Sequence, residues 1–93
     1  MKLSVVLPAF NEEDNVPRIV PELLPVLEKI APDFEVIVVD DGSKDRTAEL
    51  VEKMNHPKIR LIKHGANKGI AEAIRTGIRA ASGEYLVSLD SDF

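Results

Sequence analysis

The chain contains no cysteine. That excludes a disulfide framework, a thiolate metal site and a cysteine nucleophile. No run approaches the ~20 apolar residues needed to cross a bilayer. The first apolar stretch is broken by Pro8 and Asn11, too early for a signal peptide. Twelve basic residues face sixteen acidic ones, a net charge of −4, and the basic residues form no block. Nucleic acid is therefore not an expected partner, because contacts to a phosphate backbone leave a basic footprint. No G-x-G-x-x-G follows the first apolar run, and G-x-x-x-x-G-K-[ST] is absent. Both the dinucleotide fingerprint and the P-loop are missing. Any bound phosphates would need another source of neutralising charge, such as a metal.

What is present is ordered around Glu35–Thr47, EVIVVDDGSKDRT. Val36, Ile37, Val38 and Val39 form a β-branched run too short for a helix, which suits a strand buried on both faces of a parallel sheet. It ends in Asp40 and Asp41, then Gly42 and Ser43, before a helical pattern begins near Asp45. A strand, an acidic turn and a helix place ligand-binding groups at the carboxyl edge of an α/β sheet. At 93 residues, 44% apolar and 30% charged, the chain makes one small soluble domain, burying roughly 60–65% of its unfolded surface.

Lys2–Leu7 reads as a first strand, stopped by Pro8. From Val16 the residues Ile19, Val20, Leu23, Leu24, Leu27 and Ile30 recur at helical spacing, with Asn15 as N-cap and Pro17 near the first turn. Pro21 and Pro25 predict a kinked or late-starting helix, since an interior proline costs about 3 kcal/mol. A second helix is expected from about Asp45 to Met54, capped by Ser43 or Asp45, with Ala48, Leu50, Val51 and Met54 inward. Lys58–Lys63 is a third strand. The polar turn HGANKGI leads to a helix over 70–81 whose inward stripe is Ile70, Ala73, Ile74 and Ile78, with Gly83 just past its end. Tyr85–Leu89 is a fourth, buried strand, followed by Asp90-Ser91-Asp92 and Phe93. This strict alternation predicts an α/β fold with a parallel sheet and right-handed crossovers. Ending one residue after an acidic turn, with no helix to cover the last strand, the chain reads as the first half of a larger domain.

Asp90 and Asp92, one residue apart after a strand, can share a hard divalent cation that bridges to a diphosphate. Two neighbouring acids are more often a solvated turn, but these fall at the same sheet edge as Asp40 and Asp41. Asp40, last in its strand, is expected to face a ligand, whereas Asp41 and Ser43 suit helix-start chemistry. Asn11–Asp14 can serve only to start a helix, and Asn67-Lys68-Gly69 only to turn the chain. His56 and His64 lack metal-ligand spacing and carry no expected role. Glu72, Arg75 and Arg79 fit a solvated helix face.

Taken in order, SVVLPAFNEE, VIVVDDGSKDRT and ANKGIAEAIRTGIRAASGEYLVSLDSD resemble family 2 glycosyltransferases of the GT-A fold. The nearest flavour is that of polyprenyl-phosphate sugar transferases such as dolichyl-phosphate mannose synthase. The resemblance covers essentially all 93 residues. It implies a three-layer α/β half-domain with a four-stranded parallel sheet of order 3-2-1-4, the N-terminal half of a Rossmann-like domain. Carried over by position, Pro8, Phe10 and Glu12 line a base and ribose pocket, with Phe10 standing where a tyrosine is common. Val38 and Asp40 flank and hydrogen-bond the base. Asp90 and Ser91 contact the nucleotide, and Asp90 and Asp92 bind Mg²⁺ or Mn²⁺, Asp92 being the direct ligand. Lys68 approaches the diphosphate.

The implied ligand is a UDP- or GDP-linked sugar, and the implied chemistry is transfer of that sugar to a hydroxyl or lipid phosphate. The catalytic base is expected beyond the last residue of this chain, so that turnover by these 93 residues alone is not expected. Implied location is cytoplasmic, at the membrane face in the full-length protein. Another reading is a self-assembling module that forms homo-oligomers through the edge strand Tyr85–Leu89. A sugar-phosphate nucleotidyltransferase is a third, but PAFNEEDN is acidic where that class wants a glycine- and basic-rich loop.

Overall fold

The unbroken β-branched run Val36–Val39 falls in one of the two central strands of a four-stranded sheet. The computed structural model describes residues 2–89. It orders β1 (Leu3–Ala9), α1 (Val16–Ile30), β2 (Phe34–Asp40), α2 (Thr47–Met54), β3 (Ile59–Lys63), α3 (Ile70–Ala80) and β4 (Tyr85–Ser88). The sheet is wholly parallel with order β3-β2-β1-β4. Leu7 lies opposite Val38 and Ala9 opposite Asp40, so β1 and β2 end level.

Chain direction across the sheet sets the layers. Steps from β1 to β2 and β2 to β3 run one way and put α1 and α2 on one face. The return from β3 to β4 runs the other way and puts α3 opposite, as right-handed crossovers require. Val5, Leu7, Ala9, Val36 and Val38 pack beneath Val16, Val20 and Leu27 of α1 and Val51 of α2. Val6, Ile37 and Val39 pack beneath Ala73 of α3. Burying each of these large aliphatic side chains contributes about 1.5–3 kcal/mol.

Four local expectations are corrected. The helix α1 starts at Val16 and continues as one element across Pro21 and Pro25. Both prolines are exposed, so the carbonyls they leave without an N–H partner open to water. Neither Ser43 nor Asp45 is the N-cap of α2, which starts at Thr47 with Arg46 preceding it. Ile70 and Ile78 of α3 are 61% and 48% exposed, and the inward positions are Ala73 and Gly77. The helix sits too close to β1 for larger groups: a Cβ at Gly77 would lie 2.3 Å from Val6 Cγ1. Finally, β4 is exposed along its whole length rather than buried.

A polar cluster pins the amino ends of the strands. Glu35 Oε2 accepts hydrogen bonds from Ser4 Oγ (2.6 Å), Ser82 N (2.7 Å) and Ser82 Oγ (3.0 Å), and Oε1 accepts from Arg60 Nη1 (3.1 Å). Ser4 Oγ in turn accepts from Gly83 N at 2.8 Å. One buried carboxylate thus joins β1, β2, β3 and the α3–β4 connection. Burial pushes its pKa up. The hydrogen bonds from Ser4, Ser82 and Arg60 outweigh that and lower it from 4.5 to about 2.

Candidate functional site

At the opposite, carboxyl edge the loops after β1 and β2 are tied together. Asn11 N donates to Ser43 Oγ (2.8 Å) and Lys44 N donates to Asn11 Oδ1 (2.9 Å). Glu12 N donates to Thr47 Oγ1 (2.9 Å), and Glu13 N to Asp45 Oδ2 (3.2 Å). Thr47 N donates to Asp45 Oδ1 at 2.9 Å. The side chains of Ser43 and Asp45 therefore fasten one loop to the other. Burial raises the Asp45 pKa, but the hydrogen bonds from Thr47 and Glu13 bring it below the ordinary carboxylate range. Asn11 adopts φ +52°, a left-handed conformation that asparagine tolerates.

Asp41 performs the equivalent task for the loop after β3. Its Oδ1 accepts from His64 Nδ1 (2.7 Å) and Lys68 N (2.9 Å). Its Oδ2 accepts from Gly69 N (2.9 Å) and Asn67 Nδ2 (3.1 Å). Gly69 precedes α3, so the carboxylate also faces the positive end of that helix. Burial raises the Asp41 pKa, and the hydrogen bonds from His64, Lys68 and Gly69, with the charge of His64, lower it overall. His64 Nε2 meets Thr76 Oγ1 at 2.8 Å. Gly42, at φ +75°, allows the two loops to touch: a Cβ there would lie 2.5 Å from Asn67 N. This second loop-fastening system is absent from the sequence reading, which gave His64 no role.

Between these loops lies an open cleft of about 690 Å³ lined by Phe10, Asp40, Gly42–Lys44, Ala48 and 63–67. Of the expected nucleotide-binding residues, Phe10 and Asp40 line it. Phe10 presents an exposed ring, and buried Asp40 holds Ser43 N through Oδ1 at 3.2 Å. Glu12 is half-buried and its Oε2 accepts from Asn15 Nδ2 at 2.6 Å, while Lys68 is exposed on the chain just beyond the lining. Pro8 is buried within β1 and does not line the cleft. Val38 is a correction. It is fully buried under α1 and α2, where the strand's alternation directs it into the core, and it has no surface to offer a base. Lys44, Lys63 and Asn67 line the cleft although the sequence gave no sign of it. The Lys63 ammonium is held by Glu52 Oε1 at 2.9 Å.

Asp90, Ser91 and Asp92 lie outside the described residues. Leu89, the last described residue, lies beside β1, where its N donates to Val6 O at 2.9 Å. Among the described residues no three His, Asp or Glu side chains converge as a metal site. The oxygens of Asp41 already accept four donors, which makes it a poor ligand. Two free hard carboxylates are what Mg²⁺ or Mn²⁺ would need, and Asp90 and Asp92 are of that chemistry. Among the described residues no helix is long and apolar enough to cross a membrane.

A parallel α/β sheet with its cleft outside the carboxyl ends of the strands is the architecture of nucleotide-binding domains. The family model for glycosyl transferase family 2 matches residues 4–93, and the chain belongs to that family. It is 42% identical over 100 residues to human dolichyl-phosphate beta-glucosyltransferase, a match covering 98% of this chain and 31% of the relative. The S. aureus TarS 1–349 structure in complex with UDP superposes with a TM-score of 0.80 at 35% identity, over 99% of this chain and 28% of TarS 1–349. A mannosyltransferase from Pyrobaculum calidifontis in complex with GDP-Man and Mn²⁺ gives 0.76 at 30% identity, over 97% of this chain and 27% of its own. The chain spans less than a third of the length of each. Its fold is the Rossmann-like GT-A arrangement of these glycosyltransferases, and the family match does not favour an assembly module or a nucleotidyltransferase.

Proposed function

We propose that residues 1–93 form the nucleotide-diphosphate-sugar-binding half of a GT-A domain, in a metal-dependent enzyme that passes a sugar to an acceptor hydroxyl or lipid phosphate. The observation that carries this reading is the cleft that gathers Phe10 from the loop after β1 and Asp40 from the end of β2 at the carboxyl edge. UDP and GDP-Man complexes among similar structures support the ligand class. In this reading the Phe10 ring supplies a stacking face for the base and Asp40 a hydrogen-bond acceptor for its N–H groups. Glu12 flanks the ribose, and Lys68 stands near the diphosphate. Asp90 and Asp92 would hold Mg²⁺ or Mn²⁺, with Ser91 beside them on the nucleotide. When bound, the ion neutralises charge developing on the departing nucleoside diphosphate. We assign no general base within these residues. The dolichyl- and undecaprenyl-phosphate transferases among the relatives support a lipid-phosphate acceptor, and with it a site of action at a membrane face.

Calorimetric titration with UDP and GDP, with and without Mn²⁺, tests this reading beside Asp92→Ala. Metal-dependent binding that the substitution abolishes is expected. A folded chain that binds neither nucleotide would sink the proposal.

A second reading, self-association through Tyr85–Leu89, is favoured by the contrast between the sheet's edges. The β3 edge carries Arg60 and Lys63, both engaged in ion pairs, whereas β4 exposes Tyr85, Leu86 and Val87. Charged edges resist strand addition and apolar ones invite it.

A further inference from the structure

The cleft has one wall built from a segment that belongs to no helix or strand, Gly65–Asn67. Gly65 and Ala66 are exposed, so core packing does not hold them in place. The chain around them is fixed by polar contacts instead. Four donors spanning His64 to Gly69 converge on the two oxygens of Asp41. His64 then ties the start of the wall to α3 through Thr76. His64 Nδ1 lies 2.7 Å from Asp41 Oδ1 and Nε2 lies 2.8 Å from Thr76 Oγ1. His64 Nδ1 and Nε2 are thus both committed, and its side chain is only 8% exposed. Thr76 does not line the cleft. The row Asp41–His64–Thr76 therefore ends in a helix anchor, not in a nucleophile facing a ligand. Gly42 abuts the Ala66–Asn67 peptide from the other side, so the wall has little slack.

We infer that Asp41 and His64 are positioning residues for the donor site, acting through the Gly65–Asn67 wall to set the width of the cleft that receives a nucleoside diphosphate. The inference rests on the donor-site reading for its ligand. For its mechanism it rests on the hydrogen bonds alone. Removing the imidazole leaves Asp41 with one donor fewer and cuts the link to α3. The wall can then shift while the two apolar cores, which His64 does not enter, stay packed.

The test compares His64→Ala, His64→Gln and Val51→Ala with the unaltered chain. Val51 is the core-facing residue of α2 and does not line the cleft, so its truncation controls for general loss of stability. Titration with UDP and GDP in the presence of Mn²⁺ reads binding, and amide exchange at Lys68 and Gly69 reads the wall. His64→Ala is expected to weaken binding about tenfold or more, the effect of losing a hydrogen bond to a charged group. It should also speed exchange at both amides while Val6 and Ile37 stay protected. Glutamine can donate and accept at the same time, so His64→Gln should restore most of the affinity. Val51→Ala should bind as the unaltered chain does. Unchanged binding by His64→Ala, or an equal loss in Val51→Ala, overturns the inference. Should the unaltered chain bind neither nucleotide, the donor-site reading falls, and exchange alone decides the rest. Faster exchange at Lys68 and Gly69 in His64→Ala then sustains the wall-holding role, and unchanged exchange overturns it.

Discussion

The carboxylate of Glu35 makes acid stability a local, testable property. Its folded pKa of about 2, against an ordinary 4.5, means that the folded state favours the charged form. The stabilisation is complete above about pH 4.5 and drains away as pH falls toward 2, at up to about 1.4 kcal/mol per pH unit. The whole effect is about 3 kcal/mol. That is a large share of the roughly 5–14 kcal/mol expected for a domain of this size. Glu35→Gln removes it directly. A carboxamide offers one acceptor oxygen and an NH₂ group, so it cannot serve both the Ser4–Ser82 cluster and the Arg60 guanidinium. A protonated Glu35 has the same defect, one donor where the carboxylate presents only acceptors. Urea unfolding of both proteins from about pH 7 to about 2.5 should show a gap of about 3 kcal/mol that closes as pH falls. Asp41 and Asp45 also have lowered pKa values, but they act in both proteins and cancel in the difference. A gap that stays constant across the acid range would refute the reasoning.

Gly77→Ala should destabilise by up to about 2 kcal/mol, because crowding against Val6 costs about 1–3 kcal/mol and the gain in helix propensity returns about 1. In a Val6→Ala background the same change should become neutral or stabilising, and additive unfolding energies across the four proteins would contradict the close contact. Sedimentation of the chain should show a dimer or larger species that Leu86→Lys converts to monomer, and a clean monomer of the unaltered chain at high concentration would count against association through β4.

Strand positions were legible because their signal is local. The run Val36–Val39 is buried on both faces as its composition demands, and Asp40 stands at the strand's end facing the cleft. Val38 shows the limit of arguing by position: one residue of alternation separates a base contact from the core. Reading α3 by hydrophobicity failed for a related reason. Size marks Ile70 and Ile78 as inward, but the spacing between α3 and β1 admits only Ala73 and Gly77, and that spacing is a property of the sheet. Ser43 and Asp45 were read as helix caps because both are good caps locally. Ser43 went instead to the loop after β1, and Asp45 divides its two oxygens between Thr47 N at the start of α2 and that same loop, more than thirty residues away in sequence. His64 gave no signal at all, since its partners Asp41 and Thr76 lie 23 and 12 residues distant. Neither pairing has a fixed spacing that a motif could record.

The strand order also has a consequence for how the protein is made. β1 leaves the ribosome before β2, β3 and β4, yet it lies inside their sheet and needs a neighbour on each side. β2 arrives soon, but β4 begins only at Tyr85. At 5–20 residues per second the intervening chain takes roughly 4–15 s to synthesise. For that interval the open side of β1 presents unpaired backbone groups beside some of the most apolar residues of the molecule, and Ser4 waits for Gly83. Of these four strands the earliest made waits longest for its second neighbour, and that is the window in which a chaperone or a neighbouring nascent chain could reach it.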